Sequence, residues 1–363
     1  MRKTLHRLAA FAVVAILSLA MVAASSAAGT VTEIEKYGHA VTDIRIEDFL
    51  SGGFALGDTV DIVFDNGYEM KDVPFFNGYY VGNGEPVLRA YPGDEFIAVC
   101  INYGKLNEIA GVAPGNTVTI TLNTKEGRLA DQELNSLVYT DSRDDYASDE
   151  IFANFRMIDE GNIAEGVLYR SASPVNNENG RAAYGDALIE GVGVNAVLNL
   201  ADTDEEIDAF IAEEGFASDY YLSLYEKGNV IALGMPVDYS SSSFAETLAS
   251  GLAELSYLEP PYLVHCTEGK DRAGFTSALL ECLMGASEDE VVADYMESYS
   301  NYYGVDAASD PDKYELIVEN NIMPMLSVIK GNSPDAATGA AVYLLTHGMT
   351  LSELTALIVN LSL

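Results

Sequence analysis

The sequence predicts an α/β domain, with a mostly parallel sheet flanked by helices, preceded by a small β-rich domain. Three observations predict this. Up to about residue 140, apolar residues alternate with a period of two. Beyond about residue 150, short apolar runs alternate with helical stretches. Between the two lies a polar, acidic stretch, Thr140 to Glu150. A chain of 363 residues has room for two domains.

Residues 1–28 read as a secretory signal peptide. Arg2, Lys3 and Arg7 precede an apolar run, and small residues follow up to Ala28, where cleavage is expected. An uncleaved membrane anchor is the alternative. No later run is long and apolar enough to span a bilayer. The mature chain is therefore expected to be secreted or extracytoplasmic, with no stable membrane insertion.

Residues 30–140 form the β-rich accessory domain. Val60, Ile62 and Phe64 alternate with Asp61, Val63 and Asp65. Val118, Ile120 and Leu122 alternate with Thr117, Thr119 and Thr121. Asn66-Gly67 and Asn77-Gly78 are turn signals. A small barrel or sandwich follows from short strands with Gly-rich turns. Tyr68, Phe75, Phe76, Tyr79 and Tyr80 are candidates for a ligand groove or for core and hairpin-face packing. Residues 141–150 read as a solvated linker, because the run lacks the spacing of a calcium loop.

Residues 151–363 form the α/β domain. Val194–Leu200 and Tyr262–Cys266 are short buried-strand candidates. Asp204–Glu214, Ser243–Leu258 and Arg272–Met284 read as helices, and the tail from about Tyr314 reads as mostly helical.

Charge narrows the function classes. With 19 Lys+Arg against 56 Asp+Glu, the net charge is −37. Such a surface repels nucleic acid, so no nucleic-acid partner is expected. Any anion site must be built locally, from a few cations and backbone N–H donors. The three cysteines, Cys100, Cys266 and Cys282, cannot form a disulfide framework. Cys282 reads as a packed thiol rather than a resolving partner for Cys266.

The chemistry concentrates in His265-Cys-Thr-Glu-Gly-Lys-Asp-Arg-Ala-Gly274, between a predicted strand and a predicted helix. A loop wrapped around a helix N-terminus points successive N–H groups into one concave site, and the helix dipole favours negative charge there. That is a phosphate cradle. Cys266 lies at its base, a setting that favours the nucleophilic thiolate. Arg272, six residues on, can fold its planar guanidinium over two oxygens of a phosphoryl group. Gly269 and Gly274 stand where backbone must approach closely. The implied chemistry is attack of Cys266 on phosphorus, with the loop amides and Arg272 stabilising the transferring group.

This segment resembles the signature loop of the cysteine-dependent protein tyrosine phosphatase superfamily. Its Gly-Lys-Asp-Arg core is similar to the bacterial secreted branch that includes tyrosine and phosphoinositide phosphatases. The resemblance extends to Asn154-Phe-Arg156, Leu168-Tyr-Arg-Ser-Ala-Ser-Pro174 and Asn199-Leu-Ala-Asp202, and covers about residues 150–330. It implies a phosphatase domain, no metal or other cofactor, and two steps through a phosphocysteine. Matched by position, Cys266 is the nucleophile, Arg272 the phosphate clamp, and Thr267, Glu268, Gly269, Lys270, Asp271 and Arg272 supply the amides. The family usually carries Ser or Thr after this arginine, where the hydroxyl helps the thiolate leave. Here that position is Ala273.

Ester cleavage also needs a proton for the departing oxygen. Asp271, in the loop, and Asp202, at a strand end, are equal candidates, with Asp238 after them. Lys270 is expected either to face a substrate anion, which would favour polyphosphates, or to offset Asp271 and Glu268. Arg170 is expected to pair with a buried acid or to orient the loop, and His265 to bond the backbone. The expected partner is a phosphorylated protein or a small phosphate ester. Phosphotyrosine, inositol polyphosphate (phytate) and phosphoinositide remain open as substrates, as does a phosphate-binding module of weak turnover.

Overall fold

The computed structural model describes residues 25–363. The chain divides into two compact units, ending and starting at Asn135 and Ser136. The expected leader lies outside the described residues apart from its last four.

The first unit is a closed barrel in the order β1-β2-β6-β5-β4-β3-β7. Its strands are β1 (Ser26–Ile34), β2 (Ala40–Arg45), β3 (Thr59–Phe64), β4 (Glu69–Phe76), β5 (Pro86–Arg89), β6 (Phe96–Ile101) and β7 (Thr117–Thr124). Val60, Ile62 and Phe64 of β3 turn inward with Val118 and Ile120 of β7, as the alternation requires. Asn66-Gly67 closes the β3–β4 hairpin, with Gly67 at φ 89°. Asn77-Gly78 makes no such hairpin. It opens a longer loop, and β4 and β5 pair in parallel. Phe75 and Phe76 are buried, so they belong to the packing and not to a groove. The cut expected after Ala28 falls inside β1, whose Ser26–Thr30 pairs with Thr121–Thr117.

The second unit contains a five-stranded sheet in the order β11-β10-β12-β9-β8. The strands are β8 (Arg156–Ile158), β9 (Leu168–Ser171), β10 (Ala196–Asn199), β11 (Val230–Ala232) and β12 (Tyr262–His265). Only the edge strand β8 runs antiparallel; the other four are parallel. Strands β9, β10 and β12 are buried on both faces, which explains why they read as continuous apolar runs. Tyr169, Val197 and Leu263 sit in register and pack with Ile189, Ile207 and Tyr221 from helices on one face. On the other face, Gly251 brings the helix Ser242–Leu255 close to Leu198. Asn199, His265 and Ser171 end their strands side by side, so the loops after them share one edge. That is the carboxyl edge, where parallel sheets place their sites.

The stretch expected to be a solvated linker is built into this second unit. Buried Arg181 donates to the carbonyls of Thr140 and Phe152 and to the Asp141 carboxylate. Its guanidinium also lies against the rings of Tyr139, Tyr146, Phe152 and Tyr302. The stretch stays mostly exposed, with Tyr146 buried, and Arg181 fastens it at Thr140 and Asp141.

The helix Arg272–Leu283 is buried on all sides from Ala273 to Leu283. This includes Glu281, which is fully buried. Burial pushes its carboxyl well above the ordinary value, and Asp294 and Glu160 push the same way. The folded state thus holds a proton that the unfolded chain releases near pH 4.3. Its contribution to stability is complete below that value and is lost as pH rises toward the folded-state value. Glu281→Gln should therefore narrow the stability difference between about pH 4 and pH 8 in urea unfolding. An unchanged difference would remove Glu281 as the cause.

Candidate active site

The loop after β12 is shaped by what grips its carbonyls. The Thr267 carbonyl accepts from the Ser173 N–H at 3.0 Å. The Glu268 carbonyl accepts from Tyr302 Oη at 2.6 Å and from Asn154 Nδ2 at 3.1 Å. The Gly269 and Lys270 carbonyls accept from Arg170 Nη2 at 2.7 and 3.2 Å. A trans peptide directs its carbonyl and the next N–H to opposite sides. Four carbonyls drawn toward these anchors therefore send the N–H groups of Glu268, Gly269, Lys270 and Asp271 the other way. Among the described residues, none of those four N–H groups donates to a protein acceptor. The helix Arg272–Leu283 starts where the loop ends and adds its positive end.

The anchors are themselves held. Arg170 and Arg156 both bond the Asp294 carboxylate, at 2.5 and 2.6 Å. Burial alone would raise that carboxyl, but the two guanidiniums outweigh it and hold it well below its ordinary value. Asn154 is in the left-handed region, at φ 48°, which asparagine tolerates better than most residues. Its Oδ1 accepts from Arg156 and Asn301, and its Nδ2 from that fixed position reaches the loop and Ser298. Breaking a buried ion pair on one side costs about 3–5 kcal/mol, so this scaffold is stiff.

Glycine is required at Gly269. Its φ is 68°, and a Cβ there would lie 2.3 Å from the Ser171 carbonyl oxygen. At Gly274 a Cβ would lie 2.8 Å from the Tyr295 ring. Cys266 is buried and forms no disulfide. The Arg272 side chain bends back over the loop, bonding Thr267 Oγ1 and the Met235 carbonyl, each at 3.2 Å. Thr267 and Arg272 thus meet in the loop, with Cys266 immediately before Thr267, just past the end of β12. Ala273 is fully buried and brings no hydroxyl.

The acids separate by environment. Asp271 keeps contact with solvent, but the protein crowded around it raises its carboxyl against the pull of Lys270, and Glu268 adds to the rise. Burial also raises Asp202, opposed by the Asn199 amide that donates to it at 3.0 Å. Asp238 behaves oppositely. Ser240 donates to it from both Oγ and N–H and holds it below its ordinary value, in the ionised form. A proton donor needs the raised kind. Asp271 and Arg272 also line a cavity of about 280 Å³ with Tyr239, Phe244, Phe275 and Tyr295. Neither Asp202 nor Cys266 is among its lining residues.

The Lys270 side chain is committed elsewhere. Its Nζ bonds Glu268 at 2.9 Å and Tyr303 Oη at 3.0 Å, and it lies against the rings of Tyr299 and Tyr303. Burial opposes its charge, but Asp271, Glu268 and Tyr303 raise its value well above the ordinary one. Of the two expectations for Lys270, the local offset is the one observed. His265 is fully buried against Tyr221, and burial pushes it down to about 3, so it is neutral. Its Nδ1 lies 3.4 Å from the Cys266 carbonyl. Cys282 is packed, and burial pushes its thiol up to about 12.

Sequence reasoning missed Tyr302, Ser173, Asp294 and Tyr139. Tyr139 donates to the Glu268 carboxylate. Each acts on the loop from a distant element. The available signal was Asn154-Phe-Arg156, noted only as a resemblance.

Comparison with known proteins gives four likenesses. A profile described as the tyrosine phosphatase family matches residues 152–341, just over half of the chain. A Cupriavidus necator protein, named as a candidate tyrosine-protein phosphatase, is 50% identical over 36 residues. That match spans 10% of this chain and 13% of that protein's length. Among solved structures, the core catalytic domain of the PP-IP phosphatase SIW14 from S. cerevisiae, in complex with citrate, is 18% identical. It covers 48% of this chain and 94% of its own, with a TM-score of 0.27. An uncharacterized conserved protein from Thermotoga maritima is 21% identical, covering 26% of this chain and 35% of its own, with a TM-score of 0.24.

Two substitutions test the loop geometry. Gly269→Ala should lower Tm and abolish phosphate binding, since neither its φ nor its space admits a Cβ. Asn154→Ala removes one of two donors to the Glu268 carbonyl and should weaken phosphate binding several-fold, read by calorimetry. Full binding by Gly269→Ala would show that the loop tolerates another shape.

Proposed function

Because the chain belongs to the tyrosine phosphatase family and is a phosphoester hydrolase, we propose that it cleaves aryl phosphomonoesters of the phosphotyrosine kind through a phosphocysteine at Cys266. The observation that carries this reading is the run of loop carbonyls turned onto Ser173, Tyr302, Asn154 and Arg170. It leaves successive amides free to hold phosphoryl oxygens beside the Cys266 thiol and the Arg272 guanidinium.

In the first step, thiolate sulfur forms a bond to phosphorus as the ester P–O bond breaks. The loop amides from Thr267 to Arg272 and the Arg272 fork stabilise the equatorial oxygens. Asp271 gives its proton to the departing oxygen. Its place in the loop next to Arg272 is the ground for this choice; Asp202, whose carboxyl is also raised, is the alternative acid. In the second step, water attacks phosphorus, the S–P bond breaks, and the Asp271 carboxylate takes the proton from water. Thiolate and inorganic phosphate are released. With Ala273 after the arginine, no hydroxyl at that position assists the leaving sulfur, so this second step is the slower one.

Substrate preference follows from the cavity beside the clamp. Its walls are aromatic, and Arg272 is the one cation among the residues that line it. Lys270, the other cation of the loop, is bound to Glu268 and Tyr303. A ring carrying one phosphoryl group suits this wall better than inositol polyphosphate. The chain is also proposed to be exported, with its leader removed ahead of Ser26. A cut there, unlike one after Ala28, leaves β1 whole.

The test is hydrolysis of a phosphotyrosine peptide, para-nitrophenyl phosphate and phytate by the mature chain. Turnover is expected on the first two. Cys266→Ser should lose on the order of 10⁴-fold or more. Phosphate binding without turnover would replace the enzyme with a binding module. Asp271→Asn should lower kcat on the peptide by about 10²–10⁴ and flatten the fall in rate at high pH. The sign follows from the acid form, which is lost as pH rises through the raised value. If Asp202→Asn produces that flattening instead, the role passes to Asp202.

A further inference from the structure

The barrel unit carries a groove that its folding does not require. Two adjoining cavities, of about 530 and 710 Å³, share Tyr37, His39 and Tyr79. Three tyrosines stand out around them: Tyr37 is 65% exposed, Tyr91 45% and Tyr103 90%. Tyr103 is the informative one. It occupies the third position of the turn Ile101–Gly104, closed by Gly104 N–H to the Ile101 carbonyl at 3.0 Å. Its φ is 50°, in the region that glycine or asparagine occupies at lower cost. A bulky ring in strained backbone, with almost all of its surface in water, does nothing for the fold. Strain of this kind points to a site.

The groove is preorganised. The Arg89 guanidinium, mostly buried, bonds Glu35 through both terminal nitrogens at 3.2 and 3.0 Å, Asp94 at 3.1 Å and Tyr79 Oη at 2.6 Å. Tyr79 Oη also lies 2.9 Å from His39 Nδ1. Arg89 Nε is buried and has no partner among the described residues. The two rims are tied, since the Asn107 N–H donates to the Gly38 carbonyl at 3.0 Å. A Cβ on Gly38, at φ 87°, would lie 2.9 Å from Lys105 Cα.

From this we propose that the barrel unit binds a neutral carbohydrate chain, with sugar faces stacked on Tyr37, Tyr91 and Tyr103 and hydroxyls donating to the Glu35 and Asp94 carboxylates that Arg89 holds in place. The lining selects this class over others. It contains no aliphatic side chain, so it lacks the pockets that anchor an apolar peptide. The barrel is closed, so it offers no open edge for strand addition. Arg89 is already balanced by Glu35 and Asp94, and Lys105 by Glu108 at 2.8 Å. The remaining lining cation, Lys36, lies against the Tyr37 ring in a lining that also carries Glu33, Glu35 and Asp94, an acid excess that disfavours phosphate and nucleic acid. Carboxylates held in place accept from adjacent hydroxyls, and flat rings match the C–H faces of pyranoses. The inference is independent of the chemistry at Cys266.

The experiment is calorimetric titration of the full mature chain with cellohexaose, chitohexaose, mannohexaose and maltohexaose. At least one should bind with a Kd between about 10 μM and 1 mM. Tyr103→Gly should weaken that binding roughly tenfold, while Tm stays level or rises because the turn is relieved. Tyr37→Ala should weaken it by a similar factor. Hydrolysis of para-nitrophenyl phosphate should be unchanged in both variants. No binding of any of the four up to about 10 mM, or binding unaltered in both variants, overturns the proposal.

Discussion

The second unit depends on one ion pair more than on any other contact. Arg170 rises from β9 with its side chain fully buried, between the Asp294 carboxylate and two carbonyls of the loop after β12. The pair solves two problems together. A lone guanidinium at that depth would be intolerable, and Asp294 neutralises it. A loop that must offer several N–H groups to an anion must also turn several carbonyls away, and those need donors. Arg170 supplies them. Arg156 and Asn154 extend the arrangement, so the loop is held by donors that never touch the substrate.

This division of labour explains how a chain of net charge −37 can carry an anion site. The cations of the site are few, and nearly all are spoken for. Arg170 and Arg156 share the single Asp294 carboxylate, and Lys270 pairs with Glu268. The field that meets a phosphoryl group comes from main-chain dipoles, the helix end and Arg272. Dipoles fixed by a stiff scaffold need no reorganisation when charge develops. The surrounding acid excess is screened over about 8 Å at physiological salt and reaches the site weakly.

The barrel unit shows a different economy. Its interior is an ordinary apolar core, readable from alternation alone. Its outer groove has a polar cluster that is internally balanced, edged by exposed tyrosines. Such a surface is unsuited to ions and suited to hydroxyl-rich ligands. The two units thus handle opposite chemistries, one gathering fixed dipoles for an anion and one cancelling its charges.

The sequence by itself determined the two-unit plan, the barrel alternation, the buried parallel strands, and the loop with Cys266 and Arg272. These are local properties: side-chain period, glycine placement and the spacing of one loop between a strand and a helix. It pointed to Arg170 as a cation that orients the loop, but not to Asn154, Ser173 and Tyr302 as the other donors, which are brought to the loop only when β9, β12 and the helix Glu288–Tyr303 pack. Nor could it separate Asp271, Asp202 and Asp238, which are the same residue type until burial raises Asp202, crowding around the loop raises Asp271 and a serine lowers Asp238. The acidic stretch after Thr140 is mostly exposed, but its tie to Arg181, some forty positions away, is a contact made across the fold, of which composition carries no record.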